Sequence, residues 1–320
     1  MAHGSDAQSG EVDLSISIVS WNTRELLDQC LSSVYAATTG VSYEVMVVDN
    51  ASSDGSVEMV RGKYPQAKLI ENRENLGFAK ANNQAYRASG AEFFMLLNPD
   101  TIARPSSIGP LVAAMEANQR CGIVAPKLLW PDSRVQPSVS HFPTMTSEWA
   151  DALFLSKLTR RGQAGFYVPP DGGVSLIECA RGACLLVRRQ AVPFRDKILD
   201  ERYFMFSEEV DLCKSARDNG WSVLYEPRAE VVHIGSGSTS LVPKEMLAEM
   251  YWSKLLYFRK HHSRLCSGLY RYMVVPAHCG LRVLGYPLAS VTKTGAAERE
   301  QVSPARQVFL LKRMLFGPNR

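Results

Sequence analysis

Two hydrophobic periods alternate along the first 130 residues of the chain. Leu14-Ser15-Ile16-Ser17-Ile18-Val19-Ser20 repeats every second residue and is rich in β-branched side chains, which predicts a strand. The segment TRELLDQCLSSVYAAT then opens on Thr23 as a helix N-cap and sets Leu26, Leu27, Cys30, Leu31 and Val34 on one helical face. YEVMVVDN predicts a second strand ending in Asp49, followed by turn residues and a helix through GSVEMVRGKY. AKLIENREN is a shorter third strand, and GFAKANNQAYRAS is its helix, closed by Gly90. AEFFMLL is a fourth strand, a helix follows Pro105, and β character resumes in CGIVAPKLLW. Four strand-then-helix units predict an α/β fold with a mainly parallel sheet and helices on its faces.

The second half is less periodic. Residues 131–175 hold five prolines and predict a long loop or flap, with a helical piece near SEWADALFLSKL. ARGACLLVRR predicts a buried strand entered through small residues, and SEEVDLCKSARDNG a helix with an acidic first turn, stopped at Gly220. WSVLYEP and AEVVHIGSGS predict two short strands, the second delivering His233 into a Gly/Ser loop. Beyond residue 243 the pattern is helical, with 244–263 amphipathic.

In parallel α/β sheets ligands collect beyond the carboxyl ends of the strands. Three such ends are polar here: Ser20-Trp21-Asn22, Asp49-Asn50 and Asn98-Pro99-Asp100. No GxGxxG follows the first strand and no GxxxxGK[ST] occurs, so the dinucleotide and P-loop readings lose support. Asp100 is a hard oxygen donor suited to Mg²⁺ or Mn²⁺ on a diphosphate, and equally a residue that closes a turn or caps the helix after Pro105. Glu208, Glu209 and Asp211 complement the dipole of the helix they open. Following the aromatic segment YFMFS, they also have the partly apolar setting that lifts a carboxyl pKa toward that of a general base. His233 is either structural or a ligand, with a loop beyond it whose N–H groups could meet phosphate oxygens.

Charge adds an asymmetry. From Lys254 to the end stand twelve Lys/Arg against two acids, a net +10, whereas the preceding residues carry −6. The basic tail points to an anionic partner, anionic lipid or nucleic acid, and no recognition motif accompanies the nucleic-acid option. Packing on the domain or in a homodimer interface accounts for the same helices. Seven scattered cysteines with no CxxC pair fit a reducing compartment, and neither a leader-like segment nor an apolar run of membrane-spanning length is evident. The first ten residues are polar, without pattern, and stand outside the fold reading.

SIVSWNTRELLDQCLSSV, VMVVDNASSDGS, NRENLGFAKANNQA, LLNPDT, RGACLLVRR, DERYFMFSEEVDLCKSARDNGW and AEVVHIGSGST, in this order, resemble segments of family 2 glycosyltransferases with the GT-A fold, specifically the rhamnosyltransferase-like branch. The resemblance spans roughly residues 14–240. It implies a disordered segment 1–13, a GT-A domain over 14–243 and a helical, basic extension over 244–320. It also implies roles. Ser20, Trp21, Asn22, Asp49, Asn75, Gly77, Asn98 and Asp100 would bind the donor, with Asp49 accepting from the base. Asp100 and His233 would hold Mg²⁺ or Mn²⁺. Glu209 would be the base on the acceptor hydroxyl, with Glu208 or Asp211 as substitutes. Asn98 stands where the family's DxD motif has its first Asp, and Glu209 where the usual residue is Asp. The implied activity is inverting transfer of L-rhamnose from dTDP-L-rhamnose to a lipid-linked or cell-envelope glycan, by a cytoplasmic protein peripheral on the cytoplasmic face of the inner membrane. Two other readings stand beside it: a UDP- or GDP-hexose donor on the same scaffold, and a catalytically silent glycan- or nucleotide-binding module.

Overall fold

β4 (Phe93–Leu97) is apolar throughout, and β1 (Leu14–Ser20), with three serines among its apolar residues, and most of β2 (Tyr43–Asp49) are buried with it on both faces, which is the condition for central strands of a helix-covered sheet. The computed structural model describes residues 12–155, 165–170, 172–235, 243–284 and 303–317. β3 (Lys68–Glu71), β2, β1 and β4 run parallel, and α1 (Arg24–Ala37), α2 (Ser56–Lys63) and α3 (Gly77–Ala88) connect them. Beyond β4 comes β11 (Cys184–Arg188), antiparallel to it, with Cys184 opposite Leu97. Then follow β6 (Cys121–Leu129), β12 (Ser222–His233) and β5 (Thr101–Ala103), with α4 (Ile108–Ala117) between β5 and β6 in the chain. β6 and β12 keep the parallel direction, so the sheet is mainly parallel with β11, β5 and the short β9 (Ser175–Ile177) reversed.

Two buried clusters sandwich the sheet. On one face Leu14, Ile16 and Ile18 meet Leu27, Leu31 and Val34 of α1 and Leu111 and Met115 of α4. On the other, Phe94, Leu96, Leu185 and Val187 meet Ala81, Ala85 and Tyr86 of α3 and Leu212 and Ala216 of α6 (Glu208–Asp218). Ser15 and Ser17 of β1 face the α3 side, where the Ser15 hydroxyl lies 2.7 Å from that of Ser89 and Ser17 donates to Asn82 Oδ1 at 2.8 Å, so a polar alternation inside a buried strand is satisfied.

Three sequence expectations change. The two short strands after Trp221 are one strand, β12, carrying an irregularity between Glu226 and Glu230. Pro227 has no N–H to donate to the ladder, and the extra residues loop out there while pairing resumes on the same neighbour. Thr23 precedes α1 but makes no side-chain cap bond; its hydroxyl lies 2.9 Å from that of Ser20 instead. α3 ends at Ala88 with Ser89 in extended geometry, so Gly90 does not close it. The long loop is partly ordered as well: α5 (Met145–Ala152) carries a capping box on Thr144, and β7 (Val139–Ser140), β8 (Phe166–Tyr167) and β10 (Cys179–Ala180) form a small second sheet.

The C-terminal part is helical: α7 (Pro243–His261), α8 (Arg264–Leu269), one π-helical turn (Tyr270–Val274), α9 (Val275–Leu284) and α10 (Pro304–Phe316). It has its own apolar cluster, built on Leu255, Phe258, Tyr270, Val275, Leu310 and Met314, which also takes in Ala152 of α5. α7 is fastened to the sheet domain by polar contacts: Lys254 donates to Glu148 at 2.9 Å, Ser253 to the Met205 carbonyl at 2.8 Å, and Lys260 to Asp211 at 2.7 Å.

Candidate active site

The carboxyl ends of β1, β2, β4, β6 and β12 open on one rim, and β11 begins there. At the first two ends the backbone makes a cradle. Asn22 (φ 51°) and Ala51 (φ 62°) adopt left-handed geometry. The Asn22 N–H donates to Ser52 Oγ at 2.9 Å, and its side-chain Oδ1 accepts from the Ser53 N–H at 2.8 Å, tying the two strand ends together. Trp21 is half-buried beside them. Asp49 is 3% exposed; Oδ2 accepts from the Ser52 N–H at 2.8 Å, while Oδ1 is buried with no hydrogen-bond partner. A buried carboxylate oxygen without a donor is costly, and an N–H on a ligand base would satisfy it.

Asn75 and Gly77 form the next wall. Asn75 Oδ1 accepts from the Gly77 N–H at 3.0 Å, and Asn50 Nδ2 donates to the Gly77 carbonyl at 3.2 Å. Gly77 has φ 81°, and a Cβ there would lie 2.5 Å from the Phe204 carbonyl oxygen, so glycine is required both by conformation and by close approach. The Phe78 N–H donates to that same carbonyl at 2.7 Å, which fixes the segment leading into Glu208 and Glu209.

At the β4 end the Asn98 N–H donates to the Ala183 carbonyl at 2.9 Å, and the Asn98 carbonyl accepts from the Thr101 hydroxyl at 2.7 Å. Asp100 caps no helix: α4 starts at Ile108. It faces His233 instead, with Oδ1 and Nε2 3.6 Å apart and both residues buried. The pairing of β5 with β12, Thr101 opposite His233, brings them together. His233 Nδ1 donates to Gln136 Oε1 at 2.9 Å, so Nε2 keeps its lone pair toward Asp100. Burial lowers the His233 pKa most; Asp100 opposes this and the Arg181 charge adds to it. A neutral imidazole nitrogen and a carboxylate oxygen at this separation are donors that would together suit one Mg²⁺ or Mn²⁺. Among the described residues no third His, Cys, Asp or Glu joins them.

The acids at the start of α6 have three different surroundings. Phe206 (φ 70°) and Ser207 (φ 63°) are consecutive left-handed non-glycine residues, a strained entry that turns the first helical residues toward the rim. Glu208 is 5% exposed with Oε2 unpartnered; burial, then Glu209, push its pKa well up. Glu209 is half-buried, lies against Gly182, and also has an unpartnered Oε2. Burial raises its pKa, against backbone N–H groups and the Arg181 guanidinium. Asp211 is tied away from the rim: it accepts from Lys260 at 2.7 Å and from His261 Nε2 at 2.6 Å, both on α7. Two participants escape a reading of the sequence by motif. Gln136 reaches His233 across 97 residues of sequence, and Arg181, although it opens the RGACLLVRR stretch, is anchored by its N–H to the distant Ser138 carbonyl.

Comparison with known proteins gives this rim a context. Residues 15–168 match the family model described as glycosyl transferase family 2. The N-acetylglucosaminyl-diphospho-decaprenol L-rhamnosyltransferase of Mycobacterium tuberculosis is 29% identical over 266 residues, 78% of this chain and 85% of the relative. Among solved structures, a mannosyltransferase from Pyrobaculum calidifontis in complex with GDP-Man and Mn²⁺ superposes with a TM-score of 0.57 at 15% identity, over 96% of this chain and 88% of that one. GalNAc-T7 with UDP, GalNAc and Mn²⁺ gives a TM-score of 0.53 at 13% identity, over 78% of this chain and 50% of the other. At these identities the two structures speak for the fold, which is GT-A-like.

Proposed function

The chain belongs to glycosyl transferase family 2 and is a glycosyltransferase, and from that premise we propose that it moves L-rhamnose, with inversion, from dTDP-L-rhamnose to a lipid-linked or cell-envelope glycan. The observation that carries this is the convergence on one rim of Asp49 with an unsatisfied buried oxygen, the Asp100–His233 pair, and the half-buried Glu209. The rhamnosyl donor and lipid-diphosphate acceptor are carried over from the mycobacterial relative's name.

Each residue then has a task. Asp49 accepts from the donor's base, and Trp21, Asn22, Asn75 and Gly77 shape the nucleotide cleft, with Ser20 and Asn98 at the strand ends below it. Asp100 and His233 hold Mg²⁺ or Mn²⁺, which supplies Lewis-acid neutralisation of the diphosphate leaving group. Glu209 takes the proton of the acceptor hydroxyl on the opposite face of the sugar. Its elevated pKa suits a base working near neutrality. Asp211, held by Lys260 and His261, anchors α6 to α7. With Glu209 as the base and, among the described residues, no further carboxylate assigned as a covalent nucleophile, direct displacement inverts the anomeric centre.

The C-terminal helices support a site of action at a membrane surface. No helix among the described residues is long and apolar enough to cross a membrane. Along α8, the π-helical turn and α9, however, Leu265 (72% exposed), Tyr272 (58%), Met273 (50%) and Leu284 (78%) are turned outward, and Phe316 (84%) ends α10. Arg271 donates to the Met314 and Leu315 carbonyls, which brings Phe316 to the Tyr272 end of that surface. An outward apolar surface in a segment of net +10 fits docking on an anionic cytoplasmic leaflet, where a lipid-linked acceptor lies.

Calorimetric titration of dTDP, UDP and GDP, each with Mn²⁺, with Mg²⁺ and with neither, tests the donor reading. Metal-dependent preference for dTDP is expected. Preference for UDP or GDP would replace the donor while keeping the enzyme, and no binding of any nucleotide would leave a silent module.

A further inference from the structure

Arg181 stands at the turn into β11, at the same rim. Its backbone N–H donates to the Ser138 carbonyl at 2.8 Å, and its guanidinium lies 4.1 Å from the centre of the Phe166 ring. Nothing described receives its side-chain hydrogen bonds at Nε, which is buried without a partner. The two arginines at the other end of β11 differ. Arg188 donates to the Cys121 and Met115 carbonyls and pairs with Glu92, and Arg189 donates to the Ala91 and Ser89 carbonyls. Those guanidinium groups hold the fold together, whereas Arg181 has the Phe166 ring against its guanidinium and a buried Nε without a partner.

Its position narrows what the guanidinium is for. Its chain neighbour Gly182 lies against Glu209, and Ser138, whose carbonyl accepts from the Arg181 N–H, is two residues from Gln136, the hydrogen-bond partner of His233, so Arg181 is anchored between the segments that hold the proposed base and the proposed metal pair. Among the described residues no carboxylate comes within ion-pairing distance of Arg181, and a partly buried cation in that setting is costly unless an anion arrives. A guanidinium offers N–H donors in a planar fork that matches phosphoryl oxygens.

We propose that Arg181 binds a phosphoryl oxygen of a diphosphate in the active site. This rests on the glycosyltransferase reading above, which supplies two diphosphates of the same chemistry: that of the nucleotide donor and that of a lipid-linked acceptor. Phe166 keeps the guanidinium flat and oriented, so the group is ordered before the ligand arrives.

The test is binding, with Mn²⁺ present, of three probes to wild type, Arg181→Met and Arg181→Lys: dTDP, thymidine, and farnesyl diphosphate in detergent. Thermal melting of each variant checks that it folds, and the lysine variant keeps the charge while losing the fork. If the donor is the source, Arg181→Met binds dTDP at least tenfold more weakly and thymidine unchanged. If the acceptor is the source, the tenfold loss falls on farnesyl diphosphate and dTDP is unaffected. Arg181→Lys recovers part of either loss. A folded Arg181→Met that binds both diphosphates within twofold of wild type overturns the inference. Wild type that binds neither diphosphate would instead sink the glycosyltransferase donor and acceptor assignment from which the inference starts.

Discussion

Glu208 and Glu209 are neighbours in sequence but titrate for different ends. Glu209 has one face against Gly182 and another toward the rim, so a raised pKa there places its active, deprotonated form on the alkaline side of an ordinary carboxylate. With Glu209 as base, kcat/KM rises with pH through that elevated value, and Glu209→Gln removes the rise. The variant should lose roughly 10²–10⁴ in kcat while nucleotide affinity stays within twofold, as read by calorimetry beside a product assay. Glu208 is buried with an unpartnered oxygen, and its folded pKa is raised above the unfolded value. Its contribution to stability is therefore fully present below the unfolded pKa and is lost as pH rises through the folded one. Glu208→Gln keeps the neutral shape at every pH, so its melting temperature should gain on wild type progressively from pH 5 to pH 8. A constant gap across that range would mean that Glu208 is charged in the fold. At this scale Asp49, Asp100, Glu209 and His233 were legible because each ends or begins an element, where a polar residue interrupts an apolar run. Arg181 and Gln136 were not, because their places come from contacts distant in sequence: Gln136 accepts from His233, 97 residues on, and the Arg181 N–H donates to the Ser138 carbonyl.

The strand-helix alternation that predicted a parallel sheet describes the first half well, since each unit buries its own apolar face against the next. What it could not predict was the reversed β11 slotted between β4 and β6, or the three-residue β5 that carries Asp100 to His233. Both are short and depend on partners more than 60 residues away, so local periodicity holds no trace of their direction. The bulge in β12 is similar: Pro227 reads as a break between strands, yet the ladder to β6 continues across it. The join between α3 and the 204–208 segment makes a sharper point. Gly77 needs φ 81° and leaves no room for a Cβ beneath Phe204. Gly77→Ala should cost roughly 1–3 kcal/mol by strain alone. Because the displaced carbonyl belongs to the segment that enters α6, kcat should fall more than the nucleotide Kd rises. Urea unfolding and single-turnover kinetics on the same preparation would show it. A stability loss with unchanged kcat would mean that the 204–208 segment yields without moving Glu209.

Across the whole chain, opposite charges are separated along the sequence: −6 before residue 254 and +10 from there on, with the acids of the active site in the negative part. The tail is no independent appendage, since Lys260 and His261 of α7 hold Asp211 two residues from Glu209. A surface that engages α8 to α10 therefore reaches the helix that carries the proposed base through one rigid link. Two occupants could cover the outward apolar residues, a lipid leaflet or a second copy of the chain. Bringing two segments of +10 together is unfavourable, whereas an anionic leaflet gains about 1 kcal/mol for each Lys or Arg near it. Vesicles containing anionic phospholipid should therefore co-sediment with the protein, neutral vesicles should not, and 0.5 M salt should release it, given a Debye length that falls to about 3 Å near 1 M. Replacing Tyr272 and Met273 with serine should weaken vesicle binding while leaving dTDP affinity intact, because both side chains lie outside the cleft. Sedimentation velocity supplies the opposing result: a dimer that those substitutions dissolve, with no affinity for anionic vesicles, would assign the surface to a second copy.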